Sequence, residues 1–252
     1  MASIAVLTAC AFVAGPALAL DEDAAAFVEN NLMHILFHEA GHAVIDQFEL
    51  PVLGQEEDAA DSFATVEIIN VFDDPLPILA DSAVALFIMD ERLGDDIEIA
   101  DYYGQHDLDI QRGYRIICYA VGIDPDRYGE LAQAFDLSDD RAESCEDDGW
   151  LAADSWEALL APAFLPAGDV SDNVRTEFDI GGLTPMQKSR MLDSGVMEEF
   201  SAYLRETFNW PRPVTVTIDL CNEANAYYDP ATVTISMCAE FVDELIDLSD
   251  DL

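Results

Sequence analysis

The chain of 252 residues carries 52 acidic side chains against 10 basic ones, a formal charge of −42, and is 51% hydrophobic. Such a surface repels phosphate backbones and anionic lipid headgroups, which excludes nucleic acid and acidic membranes as partners. Length and hydrophobic content suit one good-sized globular domain, and salt that screens the self-repulsion makes the acidity read as a halophilic adaptation.

The first stretch, MASIAVLTACAFVAGPALAL, is an uncharged apolar run too short to span a bilayer, and it ends in the small-x-small pattern Ala17-Leu18-Ala19. It predicts a signal peptide over residues 1–19 and an exported protein, periplasmic or secreted, with a single domain over 20–252. Leu7-Thr8-Ala9-Cys10 offers lipid anchoring through Cys10 as the lesser alternative.

Residues 22–49 predict one long helix, since Leu32, Ile35, Leu36, Ala40, Ala43, Val44 and Phe48 recur at three-four spacing before Pro51 ends the pattern. A short loop leads to a second helix from near Glu56 to about Asn70. Helices follow over 78–93 and 101–122, with Gly122 as a stop, then from "DPDRYGELAQAF" with its early proline, and as one or two more from "SDDRAESCEDDGWLAADSWEALL". "TPMQKSRMLDSGVMEEFSAYLRETF" reads as the last long helix. The period then changes: "PVTVTIDLC" and "TVTISMC" alternate around "NEANAYYDPA", which predicts a hairpin with a long turn, and "AEFVDELIDL" returns to helix. The fold class is α+β, predominantly α-helical, with a small C-terminal β-hairpin.

Without the leader, four cysteines remain, an even count that suggests two disulfides in an exported chain. Cys221–Cys238 would close the hairpin and Cys118–Cys145 would join two helices, because the long-range alternatives cross the fold. No Cys-x-x-Cys is present, so neither a zinc ribbon nor a redox motif is supported.

The chemistry concentrates in "FHEAGHAVIDQFELPVLGQEEDAAD", residues 37–61. Residues four apart share a helix face, so His38 and His42 can offer ring nitrogens to one zinc ion, with Glu39 beside its open side as general base. Gly41 permits close packing beneath the site. A zinc hydrolase needs a third protein ligand and an open position. Glu57 and Asp61, again four apart on the next helix, can supply that ligand and an acceptor for a histidine ring N–H. Glu56 has only Ala60 four residues on, so its replacement is expected to be near neutral. His34, one turn before His38, reads as a packing residue, with support of the metal-binding side chains as the lesser alternative. Candidates for a donor that stabilises an oxyanion are His106, Tyr227 and Tyr228.

This stretch resembles the zincin metallopeptidases that use glutamate as third ligand (gluzincin-like), and more narrowly a family of exported bacterial metallopeptidases. The likeness extends to "QHDLDIQRGYRIICYAVGIDP" and "CNEANAYYDPATVTISMC". It implies zincin-like active-site helices, one zinc ion held by His38, His42 and Glu57, and hydrolysis of peptide or protein substrates. Ala40 departs mildly from that family's larger apolar residue. The alternative reading is a zincin-fold protein without catalysis that binds a metal or a partner, and retention of Glu39 weighs against it.

Overall fold

The computed structural model describes residues 20–178 and 180–252; the leader and Cys10 expectations lie outside the described residues. Helix α1, Glu22–Gln47, starts where the Asp21 carboxylate accepts the Ala24 N–H, and it runs through the centre of the molecule. Between Phe27 and Ile45 only Glu29, Asn30, Ile35 and His42 are not fully buried. A helix enclosed on nearly every side is normally apolar throughout. This one carries Asn31, His34, His38 and Glu39 into the interior.

Around α1 pack α2 (Glu56–Val71), α3 (Leu76–Leu93), α8 (Val196–Thr207) and α9 (Glu240–Ser249). An outer layer lies against α2 and α3: α4 (Asp109–Ile123) packs on both, α6 (Asp139–Leu160) packs on α4 and α2, and α5 (Pro125–Ala134) packs on α4. Gly41 brings α2 close: a Cβ there would sit 2.9 Å from the Ala60 Cα and 3.2 Å from its methyl group. Gly122 and Gly149 do the same where α4 crosses α6, beside the Cys118–Cys145 disulfide.

The predominantly helical α+β class agrees with the sequence reading, while three elements differ. The predicted helix over 101–122 is a short 3-10 turn, Ile99–Tyr103, then a loop, then α4 from Asp109. Gly104 opens that loop, and His106 and Asp107 leave the helical path to reach Glu57 and Arg115. The predicted long helix after Thr184 is α7 (Pro185–Lys188), a π turn and α8, separated at Ser194-Gly195, where Gly195 takes φ +92°. That left-handed conformation ends the first run.

The third difference is the sheet. Its order is β1-β2-β4-β3, with β1 at Val174–Phe178, β2 at Val214–Asp219, β3 at Ala226–Asp229 and β4 at Thr234–Cys238. β2 runs parallel to β4 rather than pairing with it as a hairpin, and β1 runs parallel to β2. The hairpin is β3–β4, with Tyr227 opposite Ser236. The "NEANAYYDPA" segment is therefore a crossing over the end of β4 followed by the edge strand β3. The Cys221–Cys238 disulfide fixes the crossing to that end. β3 lies along α1.

With so few cations available, most exposed carboxylates face water and one another. Thermal midpoints should rise steeply between low and molar sodium chloride as screening relieves repulsion; an unchanged midpoint would count against the halophilic reading.

Candidate metal centre

The antiparallel packing of α1 and α2 places three donor atoms in a triangle. His38 Nε2 and His42 Nε2 are 3.2 Å apart, and each is 3.2 Å from Glu57 Oε2. Among the described residues these three side chains form the group able to hold a metal ion. Two imidazoles and a carboxylate, with no thiolate, are a nitrogen–oxygen donor set suited to a borderline divalent cation.

Each histidine is held from behind. His38 Nδ1 lies 2.8 Å from Asp61 Oδ1 and His42 Nδ1 lies 2.9 Å from Glu56 Oε1. With Nδ1–H donating to a carboxylate, each ring keeps its Nε2 lone pair for the triangle. Asp61 thus stands where the sequence reading put it. Glu56 does not: it supports His42 much as Asp61 supports His38, from a half-exposed position. Adjacent residues on α2 point about 100° apart, and the two histidines, a turn apart on α1, need acceptors in both directions.

Sequence reasoning missed Arg112. Its guanidinium grips Asp61 with two bonds, Nε to Oδ2 at 2.8 Å and Nη2 to Oδ1 at 2.9 Å. Burial alone would raise the Asp61 carboxyl, but the Arg112 fork and the His38 ring pull it well below the usual carboxylate range. Arg115, one turn on, binds Asp58 and Asp107. The available signal was two arginines three apart in a chain with ten basic residues. Arg112→Met should destabilise the protein by about 3–5 kcal/mol, since it leaves a buried carboxylate unpaired. Chemical denaturation checks this, and a loss below about 1 kcal/mol would mean that Asp61 does not depend on the pair.

Glu39 is buried, and its carboxylate accepts the backbone N–H of Tyr228 on β3. Burial pushes its carboxyl above the ordinary value, against the pull of the His38 and His42 rings. His106 comes in from the loop before α4, its Nε2 2.8 Å from Glu57 Oε2 and its ring stacked on His38 at 6.1 Å. That contact and the two ligand-position histidines hold Glu57 well below the usual carboxylate range. Tyr228 donates its hydroxyl to Asp46 Oδ2 at 2.7 Å and accepts from Gln47 Nε2 at 3.0 Å. It therefore anchors β3 to the end of α1, leaving His106 and Tyr227 as the candidate donors facing the cleft.

The triangle opens onto a cleft of about 690 Å³ lined by α1, α3, α9, β3 and the His106 loop. Among the described residues no helix is long and apolar enough to cross a membrane. No curated protein and no solved structure matches the chain. One family does, over residues 11–160 and 184–251, which carry the whole triangle, its supports and β3. By that match the chain belongs to the family described as "Putative metallopeptidase".

Proposed function

We propose that this protein is an exported, zinc-dependent zincin that hydrolyses peptide bonds in protein substrates, with His38-Glu39-Ala40-Gly41-His42 as its H-E-x-x-H motif. The observation that carries the reading is the donor triangle. Tetrahedral zinc with ligands at ~2.0–2.1 Å separates its donors by about 3.3 Å, and all three edges here are 3.2 Å. His38, His42 and Glu57 would hold the ion, leaving its remaining side to the cleft. When bound, zinc supplies Lewis acidity toward the scissile carbonyl and lowers the pKa of water toward neutrality.

The chain's own groups do the rest. Glu39, fixed by the Tyr228 N–H, accepts a proton from the attacking water and returns it to the leaving nitrogen. His106 and Tyr227 are the groups proposed to donate to the developing oxyanion. Strand β3 is an edge strand lining the cleft, so an extended substrate can add beside it by main-chain hydrogen bonds. Export is supported by the apolar leader and by two disulfides, which persist in oxidising compartments.

The test is metal analysis of the purified chain together with casein digestion. About one zinc per chain is expected, with cleavage abolished by a chelator and restored by zinc. Zinc retained with no cleavage of any unfolded protein would favour the binding-only reading, and absence of both would overturn the proposal.

A further inference from the structure

β3 is the last strand of the sheet, so one of its sides pairs with β4 and the other is a free edge. The ladder decides which backbone groups lie on which side. Cys238 donates its N–H to the Asn225 carbonyl, and the register continues with Tyr227 opposite Ser236 and Asp229 opposite Thr234. Hydrogen-bonded pairs alternate along an antiparallel ladder, so the N–H and C=O of Ala226 and Tyr228 point away from β4. The donors on this edge are taken or missing. The Tyr228 N–H goes to Glu39, the Ala226 N–H goes to the Asn225 side chain at 2.9 Å, and Pro230, next in the alternation, has none. What the edge presents is a pair of carbonyls about 7 Å apart. Ala226 and Tyr228 are half-buried and line the cleft, and the edge points toward Glu39, another residue of the cleft wall.

We propose that β3 holds a peptide substrate one-sidedly: the substrate donates backbone N–H groups from two alternate residues to the Ala226 and Tyr228 carbonyls and receives none in return. The idea rests on the peptidase reading of the same cleft. An ordinary added antiparallel strand exchanges both N–H···O=C bonds with each residue it faces. Here a substrate carbonyl opposite Tyr228 would meet the Glu39 carboxylate instead of a donor, so it stays off the strand. The match is in the spacing, since N–H groups two residues apart on an extended chain are as far apart as the two carbonyls. The substrate class is therefore restricted at two positions. Proline has no N–H and an N-alkylated residue has lost its own, so either one there loses a hydrogen bond and leaves a carbonyl unpaired. Masked donors also keep a second copy of the chain from pairing edge to edge. If that protection were their whole role, the N–H groups of a bound peptide would not matter.

Three versions of an extended heptapeptide, valine alternating with threonine between lysine ends, separate the two roles. The parent keeps every amide. One analogue replaces the central N–H groups by ester oxygens, and the other replaces the central carbonyl oxygens by sulfur, a poorer acceptor that leaves each N–H in place. Binding to the metal-free full chain is measured by fluorescence anisotropy. The ester should bind about 100-fold more weakly, about tenfold for each of two hydrogen bonds, and the thioamide should bind as tightly as the parent. Tyr228-Asp229 is the only Tyr-Asp pair in the chain, so carbonyl-13C tyrosine combined with 15N aspartate reports on the Tyr228 carbonyl alone. Its resonance should move downfield as the parent peptide is added. Equal binding of parent and ester, a thioamide as weak as the ester, no binding of the parent, or an unmoved Tyr228 carbonyl would each overturn the proposal. Peptides cut by the zinc-loaded protein are then remade with single ester replacements outside the scissile bond. If no peptide is cut while the amide preference holds, the catalytic reading fails and the edge assignment stands. If peptides are cut and every ester analogue is cut equally well, the edge assignment fails and the catalytic reading stands.

Discussion

Glu39→Gln should leave the metal bound and lower peptide hydrolysis by about 10²–10⁴-fold, the usual contribution of a general base. The substitution is nearly isosteric. A glutamine oxygen can still accept the Tyr228 N–H that positions the side chain, so the local fold has no reason to shift. The three donor atoms belong to other residues, and metal content should not change. What disappears is the basic oxygen. The measurement is kcat on a protein substrate, with bound zinc determined on the same preparation. Activity within tenfold of wild type in a zinc-loaded variant would remove Glu39 from the mechanism and leave the site as a binding centre.

Glu57→Ala should abolish zinc binding and activity together. It removes one of three donors, and its carboxylate is also the atom on which His38, His42 and His106 converge. Asp61→Ala should keep zinc with an affinity about 10–100-fold weaker, because the loss falls on the orientation and tautomer of His38. The sequence pattern alone predicts a near-neutral Glu56→Ala. The contact with His42 Nδ1 instead predicts a weakening at the low end of that range, since Glu56 is half-exposed and water can replace it. Titrating zinc into the three metal-free variants ranks them. A Glu57 variant that binds as tightly as wild type, beside a Glu56 variant that does not bind, would reverse the assignment.

Much of the centre was legible because it is local. His38 and His42 share a face by helix geometry alone, and a single short loop before α2 leaves antiparallel packing as the natural way to bring Glu57 and Asp61 against them. Gly41 could be read as a close-approach position, and its contact with Ala60 is what sets the spacing of the two helices. The helical class follows from periodicity, and the break at Ser194-Gly195 falls on a residue pair that favours a turn.

The rest depended on contacts between residues far apart in the chain. Arg112 reaches Asp61 across 51 residues, and nothing in the local pattern of α4 says which carboxylate among so many it will choose. His106 faces the site only because its loop abandons the helix that the sequence pattern supports, compensated by bonds to Glu57 and through Asp107 to Arg115. Alternation in β2 and β4 reveals two strands but not their relative direction, since side-chain period is the same in parallel and antiparallel pairs. The sequence by itself thus determined the motif, the helix that carries it and the acids available to it. The tertiary structure decided which acid supports which histidine, where the fourth histidine goes and which strand borders the cleft. Hydrogen-bond partners are chosen by distance in the folded molecule, whereas the amino-acid pattern encodes only distance along the chain.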